Sequence, residues 1–391
     1  MNNLYSADFV LPVTSEPMPN AVVETDENGV IQQIWKDASE IAEPQKIKKL
    51  KGVIVPGFVN AHCHLELSHM LGKVPRKTGL VEFIKAIIST RMADEAIVNE
   101  AMKQADKAMY DNGIVAVGDH ANTNVSKAVK EKSKIYYHTF AEVLGFEPES
   151  ANDVLEAGQN LKHAFDPLTA SVTPHAPYSV SKELMRLISK NKEDKHQPIS
   201  IHNQECMAEN NFYRYKTGDF LGFYEWLGKD ISYFKSHSKS SIQSILPSLA
   251  SDRKIQLVHN TFTSSKDVSF VHRVNRSVYW CFCPKANMYI EGTLPSFFNF
   301  ILNDQVITIG TDSLASNDSL CVLSELKEIH QQYPEINLIE SIKWATWNGA
   351  ELLGISDQFG SIEVGKKPGL NLIQYTQGLN LTEKSSVKKL I

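Results

Sequence analysis

Histidine and carboxylate side chains follow several short apolar runs of this sequence, and their spacing suits metal chemistry. His62 and His64 stand one residue apart, directly after the apolar run 57–61. In a β-strand, residues i and i+2 point to the same face, so both imidazoles can reach one metal ion. One His-x-His pair is weak by itself, but ionisable groups recur after other apolar runs, at His175, His202, Glu205, His259 and Asp312. This recurrence predicts a functional site.

The apolar runs that precede these residues alternate with helical patterns. The runs lie at 57–61, 114–118, 135–143, 168–173, 199–201, 255–258, 277–282 and 306–309. Between them lie stretches of helical period such as 95–111, which places Ile97, Ala101, Met102, Ala105, Ala108 and Met109 on one face. Eight strands alternating with helices predict an α/β fold of the (β/α)8 TIM-barrel type, with reactive groups at the carboxyl ends of the strands. A doubly wound sheet is the alternative.

The two ends of the chain have a different, β-like texture. Runs 21–24 and 30–34 flank an Asn-Gly dipeptide, a strong hairpin signal. After a last predicted helix at 338–353, segments 362–364 and 370–373 are again β-like. We therefore expect residues 1–55 and 356–391 to form one small β-sandwich domain, and residues 56–355 to form the catalytic barrel.

The other histidines and the cysteines suit structural positions better. The position of His138 inside the third run predicts that it is a core residue. Seven other histidines fit surface or packing positions: His69, His120, His163, His196, His237, His272 and His330. His120 follows the second run and is the strongest exception among these seven. Cys281 and Cys283 lie in an apolar run, which predicts buried structural cysteines rather than a metal site. The chain has no His-Glu-x-x-His motif and no phosphate-binding loop of the Walker type.

Composition narrows the class of protein. The chain has 391 residues, 40 Lys and Arg against 45 Asp and Glu, and 42% hydrophobic residues. A net charge of −5 without a basic block argues against nucleic-acid or membrane-surface binding. Five cysteines without framework spacing argue against a disulfide scaffold. No apolar run reaches membrane-spanning length and no signal peptide is evident, so we expect a cytoplasmic protein.

Several segments together resemble the amidohydrolase superfamily. The segment 56–64, Pro-Gly-Phe-Val-Asn-Ala-His-Cys-His, is similar to its first-strand signature. Segments 172–179, 202–205, 257–260 and 310–317 resemble its nucleoside and purine deaminase branch, which includes aminodeoxyfutalosine and adenosylhomocysteine deaminases. The closing segments 345–350 and 365–367 are similar as well, so the resemblance spans nearly the whole chain. The sequence departs from the family at Lys285 and Ala286, and at 367–371, where the family usually has Ala-Asp.

The resemblance implies a role for each residue at the strand ends. His62, His64, His202 and Asp312 would bind one divalent metal, zinc or else iron, since three imidazoles and a carboxylate suit both. Glu205 would shuttle protons, His259 would polarise the attacking water, Asp312 would accept its proton, and His175 would contact the substrate. Metal-bound hydroxide would attack the amino-bearing ring carbon and release ammonia. Glu142, at the end of the third run, is the one residue that could bridge a second metal.

The substrate is the least defined expectation. Segments 60–68 and 80–84 with Arg91 are similar to aminodeoxyfutalosine deaminases of menaquinone biosynthesis, which makes that nucleoside the favoured substrate. Candidate substrate-binding residues beside His175 are Glu66, Arg91, Glu209 and Ser316, with Arg214 as the alternative partner of a substrate carboxylate. Guanine deaminase and a chlorohydrolase-like enzyme are alternatives, and a non-catalytic metal-binding relative is a remote one. Members of the family often dimerise through their barrel helices, so the resemblance implies a homodimer.

Overall fold

The amino-terminal residues form short strands that belong to two small sheets. The computed structural model describes residues 2–274 and 276–391. The first seven strands are β1 (Asn3–Ser6), β2 (Phe9–Val10), β3 (Met18–Pro19), β4 (Val22–Thr25), β5 (Ile31–Trp35), β6 (Ile47–Lys49) and β7 (Val53–Pro56). Strands β4 and β5 pair antiparallel, as the hairpin signal predicts. The turn between them is closed by the Asp26 carboxylate, which accepts hydrogen bonds from the backbone N–H groups of Asn28 and Val30.

Eight parallel strands form the barrel, and each corresponds to one predicted apolar run. They are β8 (Phe58–Cys63), β9 (Ile114–Ala121), β10 (Tyr136–Val143), β11 (Thr169–Pro174), β12 (Ile199–Asn203), β13 (Ile255–His259), β14 (Val278–Phe282) and β15 (Val306–Ile309). They pair in two sets of four, in the orders β11-β10-β9-β8 and β12-β13-β14-β15. The sets meet where the Asp312 N–H donates to the His62 carbonyl at 3.1 Å and the His202 N–H donates to the His175 carbonyl at 2.9 Å. The predicted TIM-type fold is confirmed.

Helices between the strands cover the outside of the barrel. They are α1 (Leu80–Thr90), α2 (Glu95–Asp111), α3 (Lys127–Lys130), α4 (Ala151–Ala164), α5 (Lys182–Lys190), α6 (Met207–Tyr215), α7 (Asp219–Trp226), α8 (Ser241–Ile245), α9 (Ser265–Arg273), α10 (Pro284–Ile290), α11 (Phe298–Ile301), α12 (Val322–Gln332), α13 (Leu338–Ala345) and α14 (Trp347–Leu353). Short 3-10 helices lie at Ala38–Glu40, Pro44–Lys46, Leu65–Met70, Pro148–Ser150, Pro177–Ser179, Lys192–Asp194 and Leu246–Ser248. No helix among the described residues is long and apolar enough to cross a membrane.

Two helix predictions need correction. Helix α2 has the predicted bounds, but Ile97 is 55% exposed because burial begins only at Met102, in the middle of the helix. The single helix expected at 338–353 is two helices, because Thr346 leaves the helical conformation with φ −138° and ψ −83°. The break lets α14 turn onto the barrel, where Gly349 lies so close to Val59 that a Cβ would clash.

The carboxyl-terminal strands join the amino-terminal ones in one sheet. Strand β16 (Leu370–Gln374) pairs antiparallel with β7 and with β17 (Ser386–Lys389), giving the order β17-β16-β7-β2-β3. The strand expected at 362–364 does not form; Ile362 and Gly365 instead bond singly, to the carbonyls of Pro12 and Ile31. The domain boundaries at 55/56 and 355/356 stay a prediction.

Candidate functional site

The His-x-His pair lies at the carboxyl end of β8. His62 is completely buried, and neither of its ring nitrogens has a hydrogen-bond partner among the described residues. The imidazole centroids of His62 and His64 are 4.9 Å apart, so both rings face the same region, as the strand alternation predicts. Burial is the main cause that lowers the pKa of both side chains well below the ordinary value. Both are therefore neutral, with a lone pair free to bind a metal.

Asp312 follows β15 and comes from the other side of the barrel to the same point. Its Oδ1 atom lies 3.5 Å from His62 Nε2 and 3.7 Å from His64 Nε2. The Ser316 hydroxyl donates to Oδ2 and fixes the carboxylate. Burial opposes ionisation of Asp312, but His64, His259 and the Ser316 hydrogen bond outweigh it and lower the pKa.

His202 completes the cluster from the end of β12. Its Nδ1 atom lies 2.8 Å from the His175 carbonyl oxygen and can only donate there, so Nε2 carries the lone pair. This Nε2 atom is 3.3 Å from His64 Nε2. Burial is again the first cause that lowers the pKa of His202, to about 4.

These four side chains fit a divalent metal. The Nε2 atoms of His64 and His202 face each other at 3.3 Å, and neither ring nitrogen of the buried His62 has a hydrogen-bond partner among the described residues, which is unusual for buried polar atoms unless they serve as ligands. Ligands bound at about 2.0–2.2 Å around one tetrahedral ion are separated by about 3.3–3.5 Å, close to the distances between these nitrogen and oxygen atoms. His62, His64, His202 and Asp312 could therefore hold the ion together.

Glu205 and His259 lie beside this cluster and face each other. Glu205 Oε2 is 3.7 Å from His259 Nε2, and both side chains are buried. Burial, then the nearby charge of Asp312, raises the pKa of Glu205 well above its ordinary value and so favours the protonated carboxyl group. His259 Nδ1 is 3.0 Å from Asn287 Oδ1, which leaves Nε2 as an acceptor. Sequence reasoning missed Asn287, because nothing in its local sequence marks it as the partner of His259.

His120 and Glu142 belong to this region as well. The ring of His120 is 4.5 Å from that of His62, and its two nitrogens bond to Glu142 Oε1 at 2.9 Å and Ser200 Oγ at 2.8 Å. His120 is therefore not a surface residue, and its position directly after an apolar run was the available signal. Burial opposes ionisation of Glu142, but His175 and His120 lower its pKa well below the ordinary value. His138 is a buried core residue bonded to Ser171, as expected.

A cavity of about 260 Å³ opens in front of these groups, and the predicted substrate-binding residues divide around it. His175 and Arg91 line it, together with His64, His202 and Asp312 and an apolar wall from α1. The wall and its neighbours comprise Leu67, Leu80, Phe83, Ile84, Ile87, Ile88 and Leu144. Glu66, Glu209 and Ser316 are outside this lining, and so is the alternative Arg214.

The two glutamates outside the lining bond to backbone. Glu66 accepts hydrogen bonds from the N–H groups of Asn122 and Thr123 and from the Thr123 hydroxyl, at 3.2, 3.1 and 2.8 Å. Glu209 accepts the Gln204 N–H at 2.9 Å, and burial raises its pKa to about 7. Both carboxylates therefore hold loops that border the site rather than face the cavity.

The family comparison agrees with this geometry. The model of the amidohydrolase family matches residues 53–391. This chain belongs to the amidohydrolase family. The amidohydrolase is thus a hydrolytic enzyme, and the recognition made from the strand-end motifs is confirmed.

Individual relatives of this amidohydrolase are distant in sequence and close in fold. It is 25% identical over 332 residues to an adenosine deaminase of Helicobacter pylori, covering 83% of this chain and 80% of that protein. It is 26% identical over 358 residues to a 5′-deoxyadenosine deaminase of Methanococcus maripaludis, covering 86% and 76%. The crystal structure of Helicobacter pylori aminofutalosine deaminase with methylthio-coformycin superposes with a TM-score of 0.79, at 22% identity and covering 97% and 93% of the two chains.

Proposed function

We propose that this amidohydrolase is a metal-dependent hydrolytic deaminase of an adenine-type nucleoside. The observation that carries the proposal is the convergence of His62, His64, His202 and Asp312, with the unpartnered ring of His62 among them. The two relatives described above are named as an adenosine deaminase and a 5′-deoxyadenosine deaminase, which supports this reaction class.

The four residues would hold one divalent ion, and zinc suits their nitrogen and carboxylate donors best, with ferrous iron the alternative. When bound, such an ion supplies a water nucleophile at neutral pH. The Asp312 carboxylate, which the Ser316 hydroxyl orients, can accept the proton of that water. His259 Nε2, which its Asn287 contact leaves as an acceptor, can orient the same water.

Glu205 can supply the proton that deamination requires. Deamination forms a carbon–oxygen bond and breaks the bond to the amino group, and a proton delivered to the adjacent ring nitrogen promotes the attack. A carboxyl group whose pKa is raised by burial can donate it and can later carry a proton to the departing ammonia. His175, with its ring hydrogen-bonded to the Ser179 hydroxyl at 2.7 Å, lines the cavity where the base would lie.

Among adenine-type nucleosides we favour aminodeoxyfutalosine. The cavity wall from α1 is apolar and leads to Arg91, whose guanidinium has no ion-pair partner among the described residues. Such a wall suits an apolar substituent on the nucleoside, and a free guanidinium at its end suits an anionic group.

A substrate panel tests both levels of this proposal. The purified enzyme, loaded with zinc or iron, is assayed for ammonia release and for loss of adenine absorbance. The panel contains adenosine, 5′-deoxyadenosine, aminodeoxyfutalosine, guanine and a chlorinated triazine. We expect turnover of 6-aminopurine nucleosides, fastest with aminodeoxyfutalosine, and loss of activity on chelation that is restored by metal. Turnover of guanine or the triazine alone would overturn the proposed substrate class, and full activity after metal removal would overturn the metal dependence.

A further inference from the structure

A second cavity lies at the opposite end of the barrel from the candidate active site. One wall comes from the barrel: Tyr110 near the end of α2, Val115 near the start of β9, and Lys134 just before β10. The other wall comes from the terminal strands, with Lys367, Gly369, Lys389 and Ile391. The cavity measures about 490 Å³, within the size range of small-molecule sites. Because these positions are at the amino ends of strands, the cavity is remote from the groups that follow the carboxyl ends.

Three lysines from separate parts of the chain line this cavity. Lys134, Lys367 and Lys389 line it, and no Asp or Glu is among the described residues of its lining. Lys389 Nζ lies 4.3 Å and Lys134 Nζ 5.2 Å from the centroid of the same Tyr110 ring. None of the three lysines forms an ion pair or a side-chain hydrogen bond within the described ranges 2–274 and 276–391.

The arrangement is electrostatically unfavourable as it stands. Lys389 is partly buried, and burial followed by repulsion from Lys134 lowers its pKa to about 8, against the opposing charge of Asp111. Asp111 is also paired with Lys107, so it offsets the charge of the cluster only in part. Like charges held near one aromatic ring repel each other, and an anion between them would relieve that repulsion.

We propose that this cavity is a binding site for a small phosphate-bearing anion, held by Lys134, Lys367 and Lys389. Three ammonium groups from separate parts of the chain suit a multivalent tetrahedral anion, whose oxygens point in several directions, better than a planar carboxylate. Gln358 and Asn28 add amide donors at the rim, and Phe359 adds an apolar wall. The space exceeds that of one phosphate group and can take a pyrophosphate or a mononucleotide.

Isothermal titration calorimetry and thermal unfolding of the full-length, metal-loaded enzyme test the site. The probes are inorganic phosphate, pyrophosphate and UMP, whose base lacks the amino group of the proposed substrates. We expect one saturable site per chain and a concentration-dependent rise in Tm, since a ligand of the folded state stabilises it. At pH 8 the binding heat should vary with buffer ionisation enthalpy, because an anion raises the pKa of Lys389 and draws in a proton. Tighter binding of UMP than of pyrophosphate would identify a nucleotide site, and the reverse a diphosphate site.

Charge-removing variants assign the binding to this cavity. Lys367→Gln and Lys134→Gln alter exposed side chains and should each raise Kd about tenfold, and Lys389→Met should do the same while keeping the apolar stem. The triple variant should lose binding. Lys388→Gln is the matched control, since Lys388 is an exposed neighbour on the same strand outside the lining, and its Kd should be unchanged. Absence of binding at roughly 10 mM probe, or binding that survives the triple variant and depends on the metal instead, would overturn the proposal.

Discussion

At the scale of single residues, burial gives two nearby glutamates different chemistry. Glu205 lines the active-site cavity, faces His259 and has a strongly raised pKa. Glu209, four residues on, accepts the Gln204 N–H and is not part of the cavity lining. Residue type and spacing cannot separate these surroundings, which is why both stood among the sequence candidates.

Replacement of Glu205 tests the proton-transfer role. Glu205→Gln keeps the size of the side chain and removes the transferable proton, so we expect kcat to fall by about 10²–10⁴-fold. Metal content, measured by plasma mass spectrometry, should stay near that of the unmodified enzyme. Glu225→Gln on the exposed face of α7 is the control and should be fully active. A Glu205→Gln enzyme with normal kcat would show that the proton comes from another group.

Ser316 is expected to act on the metal through Asp312. It was predicted as a substrate contact, but its hydroxyl donates to Asp312 Oδ2 and lies outside the cavity lining. Ser316→Ala should therefore weaken metal affinity by about 10–100-fold and leave KM at saturating metal nearly unchanged. Competition with a chromophoric chelator measures the affinity, and Ser319→Ala, whose hydroxyl contacts the exposed Asp318, is the control. A raised KM with unchanged metal affinity would instead support substrate contact.

At the scale of elements, the turns that follow the barrel strands contain non-glycine residues with left-handed backbone. Gln204, His259, Asn260 and Asp312 all have positive φ, between 46° and 75°, directly at or after a barrel strand. Left-handed backbone at non-glycine residues is unfavourable and persists where surrounding contacts enforce it. Two of these residues, His259 and Asp312, carry side chains of the candidate site.

A glycine in one of these strand ends tests this close packing. A Cβ at Gly310 would lie 2.7 Å from His62 Cβ and 2.9 Å from the His62 carbonyl oxygen. Gly310→Ala should lower the free energy of unfolding by about 1–3 kcal/mol and reduce metal content, because His62 must move. Gly222→Ala in α7 has open space around it and should be neutral or stabilising by up to about 1 kcal/mol. Urea unfolding and metal analysis of both variants make the comparison; equal stabilities would contradict the close approach.

Another element-scale contact holds the segment after the His-x-His pair. Asp119 at the end of β9 accepts the Leu65 N–H at 2.8 Å and pairs with the buried Lys130 Nζ at 2.6 Å. Sequence patterns could not reveal this pair, because Lys130 is in a short helix whose other lysine, Lys127, is only half-buried.

At the scale of the whole molecule, buried neutral histidines couple stability to pH. Burial lowers the pKa of His138 to about 3, and of His330 to about 4. Below about pH 6.5 the unfolded chain binds a proton at His138 that the folded protein cannot bind. The free energy of unfolding therefore falls as the pH drops from about 6.5 towards 3.

The variant His138→Leu isolates this contribution. The slope of unfolding free energy against pH, from urea unfolding between about pH 7.5 and 4.5, should be shallower than that of the unmodified enzyme by up to about 1.4 kcal/mol per pH unit. His196→Leu, at an exposed position, should keep the original slope. Identical slopes for all three proteins would mean that the pKa of His138 is the same in the folded and unfolded states.

The sequence by itself determined the family, the eight barrel strands and the residues at their ends, because these follow from local apolar period and short motifs. The tertiary structure decided which of these residues lie together in one site. It placed Glu66, Glu209 and Ser316 outside the cavity, His120 and Glu142 beside the metal-site histidines, and Asn287 against His259. It also formed a lysine-lined cavity from Lys134 and Lys389, which are more than 250 positions apart in the chain. The homodimer and the cytoplasmic location stay predictions. Burial, partner choice and charge proximity depend on chain segments that meet only when the barrel closes, so a local pattern cannot contain them.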